Sequence, residues 1–272
     1  MKIGIAQIDC TLGDVPANLT KIRTFAERAK SAGCDVVVFP ELSETGYDMA
    51  IVRRVASGFD GAPMAMLRDT AARLGMHVIC GLSERSAGVI YNTCAVIDPV
   101  GSLIAAYRKV HLADYPPLNE GSCFSPGNSL TTVTIAGLTF GLMICYDLRF
   151  PEMSRAHVLS GAQTLVLCSA WPFPRLIHWQ TLIAARAIEN QCYFIAANRT
   201  GTDGPAVFCG SSRIVDPYGI IVTSAAENRE ELLTADISAD VISAVRKAMP
   251  IFNHRRPDVY TRPDSVNPSS QR

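Results

Sequence analysis

From the first residues to about position 250, short apolar runs alternate with segments in which apolar residues recur every three to four positions. KIGIAQID at the start has the length and composition of a strand. Residues 17–32 then place Ile22, Phe25, Ala26 and Ala29 at helical spacing, and Gly33 supplies the stop. CDVVVFP follows as a buried β-branched strand. A second helix is predicted near 63–75 and feeds the strand MHVICGL. The run GVIYNTCAVID, the turn Asp98-Pro99-Val100-Gly101 and the strand SLIAAYRKV complete this first half.

The second half repeats the order. GLTFGLMICYD predicts a strand, 151–160 a helix opened by Pro151, AQTLVLCSA a strand, 175–190 a long helix, and QCYFIAANR a strand. The turn Asp216-Pro217-Tyr218-Gly219 then leads into the strand IIVTSA. The halves align residue by residue. SAGCDVVVFPE runs against LSGAQTLVLCSA with Gly33 on Gly161, RLGMHVICGL against ENQCYFIAAN, and IDPVGSLI against VDPYGIIV with Asp98 on Asp216. A duplicated α/β unit predicts two sheets packed face to face with helices outside and one shared core, so residues 1–250 are expected to form a single domain. The proline-rich, polar stretch at 251–272 predicts an arm that orders only against another subunit, with its last few residues disordered.

Composition narrows the function classes. Of 272 residues, 48% are hydrophobic and 18% charged, enough apolar material for a sizeable core. Formal net charge is zero and no segment is strongly basic, which argues against a nucleic-acid partner. Arg255-Arg256 reads as a solvated end or a local ion pair. The N-terminal apolar run is too short for a signal peptide and lacks a cleavage pattern, and no run reaches bilayer length. A soluble cytoplasmic protein without a membrane partner is expected. The nine cysteines are odd in number and none is spaced CxxC, against a disulfide framework or a zinc knuckle. The five histidines form no HExxH pair, so neither a metal nor another cofactor is expected.

Three residues at the ends of buried strands carry candidate chemistry. Glu41 follows CDVVVFP, where desolvation would raise a carboxylate into the range of a usable base. Taken alone it reads more readily as a loop-start carboxylate capping a backbone group. Lys109 ends LIAAYRKV, where an ammonium needs a carboxylate or an anion unless it snorkels from an edge strand. Cys145 differs from the other cysteines: it ends its strand and enters a polar turn before the helix of Pro151, a setting that favours thiolate. Taken together, the three supply a nucleophile, a proton acceptor and a cationic donor. Trp171, after AQTLVLCSA, and Tyr47 are expected to line the pocket, although Trp171 also suits plain core packing. Arg175 suits an ordinary surface helix arginine better than a carboxylate ligand.

The runs FPELSETGY (39–47), YRKVHL (107–112) and GLMICYDLRFPE (141–152) resemble, in order and separation, the three catalytic motifs of the nitrilase, or carbon–nitrogen hydrolase, superfamily. The resemblance extends over essentially the whole chain, to an ending HRRPDVY (254–260). It implies a four-layer αββα sandwich, assembly into homodimers or larger homo-oligomers through helices near the nucleophile, and hydrolysis of a small-molecule amide without cofactor. The implied roles are Cys145 as nucleophile, Glu41 as general base and Lys109 as stabiliser of the tetrahedral intermediate. The backbone N–H of Tyr146 is an implied oxyanion donor. Glu120, in NEGSCFSPG, matches a second family glutamate that would orient Lys109 or the substrate. Tyr146-Asp147 after the cysteine resembles the amidase and carbamoyl-hydrolase branches, and 171–191 resembles ω-amidases and aliphatic amidases. The loops at 113–119 and 200–209 depart from ω-amidases, which leaves the acyl group open. An N-carbamoyl amino acid hydrolase shares these motifs, and a silent binding scaffold would share the fold.

Overall fold

The computed structural model describes residues 1–116 and 118–260; the end of the arm, 261–272, including the last few residues expected to be disordered, lies outside the described residues. The chain opens with β1 (Lys2–Gln7) and α1 (Val15–Ser31). Asp14 caps α1 by accepting from the Ala17 N–H at 3.1 Å, Pro16 sits in its first turn, and Gly33 takes a φ of 78° just beyond its end. Then come β2 (Val36–Val38), α2 (Met49–Val55), α3 (Ala62–Leu74), β3 (His77–Ser86), β4 (Val89–Ile97) and β5 (Leu103–Arg108). The second half holds β6 (Thr132–Ile135), β7 (Leu138–Ile144), α4 (Pro151–Leu159), β8 (Thr164–Ser169), α5 (Leu176–Asn190) and β9 (Tyr193–Asn198). Two short strands follow, β10 (Thr202–Asp203) and β11 (Ala206–Val207), then β12 (Arg213–Val215), β13 (Ile221–Ser224), β14 (Glu231–Asp236), α6 (Ala239–Ala248) and α7 (Pro257–Tyr260).

Two six-stranded sheets result, in the orders β14-β1-β2-β3-β4-β5 and β6-β7-β8-β9-β12-β13. Each has three parallel strands at its centre and antiparallel neighbours outside them. The duplication read from the sequence is therefore a duplication of topology. Even the hairpin turns match: Asp98 accepts from the N–H groups of Val100 and Ser102, and Asp216 from those of Tyr218 and Ile220. Side-chain alternation then builds the layers. Ile3, Ile5, Val36 and Val38 face the second sheet with Leu142, Ile144, Val166 and Ile195, while Ala6, Val37, Val78 and Cys80 face α1 and α3. Helices α4 and α5 cover the outer face of the second sheet. The arrangement is helix, sheet, sheet, helix, as expected.

The structure adds α2, β6, β14 and α6, which the apolar pattern did not predict. It also shortens one expectation. The strand in GLTFGLMICYD stops at Ile144, because Cys145 takes a φ of 42° and residues Cys145–Arg149 wind into a 3-10 turn. The parallel strands β2 and β7 and the strand β5 all end toward one rim of the sandwich. Glu41, Cys145 and Lys109 lie just past those ends.

Candidate active site

An ammonium stripped of water needs counter-charges, and Lys109 has two. Its Nζ lies 2.8 Å from Glu41 Oε1 and 2.6 Å from Glu120 Oε1, with all three side chains fully buried. The remaining lone pairs are also engaged. Asn92 Nδ2 donates to Glu41 Oε1 at 2.7 Å, and the Ala170 N–H to Glu41 Oε2 at 2.8 Å. The Tyr47 hydroxyl donates to Glu120 Oε1 at 2.5 Å, and the Ala113 N–H to Glu120 Oε2 at 2.7 Å. The backbone makes room for this. Residues 40–43 hydrogen-bond along β3, with Gly81 N–H on the Pro40 carbonyl and Ser43 N–H on the Gly81 carbonyl. A Cβ at Gly81 would come 2.6 Å from the Cα of Glu41, so only glycine lets Glu41 approach.

Charge and burial pull these groups in different directions. Burial raises the pKa of Glu41, Lys109 lowers it, and the Glu120 carboxylate raises it again; the net shift is upward. Burial works against the charge on Lys109, yet Glu120 and Glu41 outweigh it and hold the lysine well above its ordinary value. The site thus keeps a firmly protonated ammonium beside a carboxylate made more basic than usual.

Cys145 sits at the mouth of this cluster with 6% of its surface exposed. A left-handed φ at a residue with a Cβ is strained, and Asp147 holds the strained turn in place. Asp147 Oδ2 accepts from the Ile144 N–H at 2.9 Å and from the Tyr107 hydroxyl at 2.7 Å, while Oδ1 receives the His111 N–H at 3.2 Å and lies 2.8 Å from His111 Nδ1. The expectation of a thiolate-favouring setting is corrected here. Burial pushes the Cys145 thiol well up, Glu41 pushes it further, and Lys109 only partly offsets them. The helix opened by Pro151 begins six residues later, too far for its N-terminus to help. At rest the site holds a neutral thiol next to a base.

Cys145 opens onto a small recess of about 230 Å3 including its mouth, lined by Ala113, Tyr115, Leu118, Tyr146, Arg149, Trp171, Pro172 and Arg175. Trp171 is both lining and core: its ring packs at 5.7 Å on Trp179 and its Nε1 donates to the Arg175 carbonyl at 2.9 Å. Tyr47 borders a neighbouring depression with Asp48, Leu118 and Asp203, and its hydroxyl donates to Glu120. Glu120 is within 2.6 Å of the Lys109 ammonium. Arg175 is not a plain surface arginine. It stands at the start of α5 on the rim of the recess, its guanidinium 5.7 Å from the Tyr115 ring, and Arg149 lies 4.5 Å over Trp171.

Asn92 and Asp147 also contact the site's residues, and the sequence pattern does not single them out as such. Asn92 leaves a trace, an amide inside the buried run VIYNTCAVI where a polar group must have a partner. Asp147 leaves none beyond its neighbours. Among the described residues, no group of three His, Cys, Asp or Glu side chains is arranged to hold a metal ion, and no helix is long and apolar enough to cross a membrane.

Comparison with known proteins agrees with this geometry. A family model described as carbon-nitrogen hydrolase matches residues 2–247. The chain is 37% identical over 260 residues to 2-oxoglutaramate amidase of Bacillus subtilis (strain 168), covering 95% of this chain and 98% of that one. It is 33% identical over 252 residues to omega-amidase NIT2 of Mus musculus, covering 90% and 91%. Among solved structures it is similar to a mutant of the amidase from Nesterenkonia sp. AN1 that shows Michael addition of acrylamide at its active-site cysteine. The TM-score is 0.82 at 29% identity, covering 94% of this chain and 100% of that one.

Proposed function

Because the chain belongs to the carbon–nitrogen hydrolase family, we propose that Cys145, Glu41 and Lys109 are the nucleophile, general base and oxyanion stabiliser of its reaction. The enzyme is an amidase that hydrolyses a small carboxamide to carboxylate and ammonia through a cysteine thioester. One observation supports the residue roles above all: a buried ammonium clamped between two carboxylates, near enough to the strained cysteine to act on its thiol, which itself opens onto the recess.

The steps follow from the charges. Glu41 takes the thiol proton as sulfur attacks the amide carbon. The carbonyl oxygen gains negative charge and is met by the Lys109 ammonium and the Tyr146 N–H; losing one such donor costs about 10²–10³ in rate. Glu41 passes its proton to the departing nitrogen, ammonia leaves, and a thioester remains on Cys145. A water then gives its proton to Glu41 and attacks the thioester, releasing the carboxylate and restoring the thiol. Glu120 and Tyr47 keep Lys109 aimed throughout, and the raised pKa of Glu41 suits it to both accepting and returning a proton.

Two guanidiniums on the rim, Arg149 and Arg175, support a finer reading: the preferred acyl chain carries its own carboxylate, as a dicarboxylic monoamide does. The size of the recess supports a short chain. Ammonia release from glutaramate and butyramide tests this. The expected result is a preference for glutaramate that Arg175→Ala reduces by about ten- to hundredfold in kcat/KM, with butyramide little changed. No turnover of either amide, or carbon dioxide released with ammonia from an N-carbamoyl amino acid in their place, would contradict the reading.

A homodimer or larger homo-oligomer in the cytoplasm goes with this proposal. Leu159 on α4 and Ile177 and Ile188 on α5 are exposed apolar residues on the helices after Cys145, and 251–272 reads as an arm lying on a neighbouring copy. Light scattering at a dimer mass or above is expected; a monomer mass would contradict it.

A further inference from the structure

A hydroxyl buried without a partner calls for an explanation, and one stands beside the nucleophile. Ser169, the last residue of β8, has no solvent exposure, and its Oγ has no hydrogen-bond partner among the described residues. Strands β7 and β8 run parallel with Ile144 opposite Cys168, so Cys145 and Ser169 are the next residues past the last pair, and the Ser169 side chain is near enough to the Cys145 thiol to act on it. The next residue, Ala170, gives its N–H to Glu41 Oε2 at 2.8 Å, so one dipeptide at the end of β8 addresses both nucleophile and base. The Asn198 N–H and the Arg199 N–H, from the next strand, engage the Ser212 hydroxyl and the Ser169 carbonyl, leaving the Ser169 hydroxyl free to turn toward sulfur.

We propose that Ser169 is a positioning residue that donates a hydrogen bond to the sulfur of Cys145 as that sulfur gains negative charge. The proposal rests on Cys145 as nucleophile. The need is specific to this site, because burial, Glu41 and Glu120 oppose the ionised thiol, Lys109 only partly offsets them, and the Ser169 hydroxyl is near enough to the sulfur to favour its charge. A neutral thiol gives the hydroxyl little to bond, and a sulfur carrying charge gives it a strong acceptor. Its unpaired state at rest, a cost to the folded protein, becomes a contact made as the thiol loses its proton and as the thioester collapses. The stabilisation is therefore felt by the reacting sulfur more than by the resting one.

The test pairs two isosteric variants. Ser169→Thr keeps the hydroxyl and is expected to retain the wild-type pH profile of Cys145 alkylation by iodoacetamide. Ser169→Val removes it and is expected to move that profile to higher pH and lower kcat/KM by about ten- to hundredfold with KM little changed. Ser169→Ala is expected to show the same losses with no drop in Tm, since it deletes an unsatisfied polar atom rather than a made contact. A merely structural serine would lower Tm in Ser169→Ala and leave the alkylation profile in place. Unchanged alkylation and kcat/KM in both Ser169→Val and Ser169→Ala would overturn the inference while leaving Cys145 as nucleophile intact. Activity surviving in Cys145→Ala would instead remove the reading on which it rests.

Discussion

Two glutamates three positions apart show how much a counter-charge decides. Glu41 and Glu44 are both buried, but Glu41 has Lys109 and two further hydrogen-bond donors, Asn92 and the Ala170 N–H, whereas Glu44 has the N–H and hydroxyl of Ser83, each at 2.6 Å, on Oε1 and nothing on Oε2. Burial therefore pushes Glu44 from the ordinary 4.5 up to about 7, only partly offset by Ser83. A carboxyl whose pKa is higher folded than unfolded binds more protons when folded, so its contribution to stability is lost as pH rises from about 4.5 through about 7. Glu44→Gln removes that dependence. The unfolding free energy of wild type relative to Glu44→Gln is expected to fall by about 3 kcal/mol between pH 4.5 and 8 in urea titrations; a constant difference would contradict the assignment. The same logic sets the acid limb of kcat/KM. In the proposed mechanism Glu41 must be unprotonated to accept the thiol proton, and its pKa is raised, so that limb should lie above pH 4.5 and belong to the interacting cluster rather than to Glu41 alone. Tyr47→Phe deletes the hydroxyl that steadies Glu120. A loss of about tenfold or more in kcat is expected, with Lys109 still paired to Glu41.

At the scale of elements, the turn after β7 and the hairpin turns of the two halves make contrasting demands. Asp147 collects two backbone N–H groups, a buried phenol and a histidine nitrogen to hold the strained Cys145. Asp98 and Asp216 each hold two backbone N–H groups at half-exposed hairpins far from the site. Asp98→Ala and Asp216→Ala should each cost about 1–2 kcal/mol, add together, and leave kcat unchanged. Asp147→Ala should cost more and abolish activity, because Tyr107 and the Ile144 N–H are left buried without acceptors. These elements also show where a sequence is readable. Asp-Pro-x-Gly at 98–101 and 216–219 announces a turn by local chemistry, and Pro151 and Gly33 mark helix ends for the same reason. The turn at Cys145–Arg149 carries no such marker: its left-handed cysteine is imposed by Asp147 reaching β5 and the segment after it. β6 and β14 were missed because they are edge strands with polar, half-exposed alternation, and α2 because it is only seven residues long.

At the scale of the molecule, repetition made the architecture legible. Two aligned halves required two equivalent sheets, and their shared core required them to pack face to face. Glu41, Lys109 and Cys145 stand out in the sequence because each lies at or just past a strand end, and those ends share one rim. The hydrogen-bonding groups that tune them come from strands remote in sequence, Asn92 from β4 and Ser169 from β8, and only the folded register brings them in. The contact of Tyr47 with Glu120 is hidden for a related reason, since the two lie far apart along the chain. The claim on which the account depends is that the acyl group passes through the sulfur of Cys145 under the control of Glu41. Acid-quenched turnover of glutaramate, read by intact-protein mass spectrometry and peptide mapping, tests it most directly. The account predicts a mass increase equal to one acyl group on the peptide containing Cys145, absent in Cys145→Ala and strongly reduced in Glu41→Gln. Undiminished turnover by Cys145→Ala, or an acyl group found on a different residue, would contradict it.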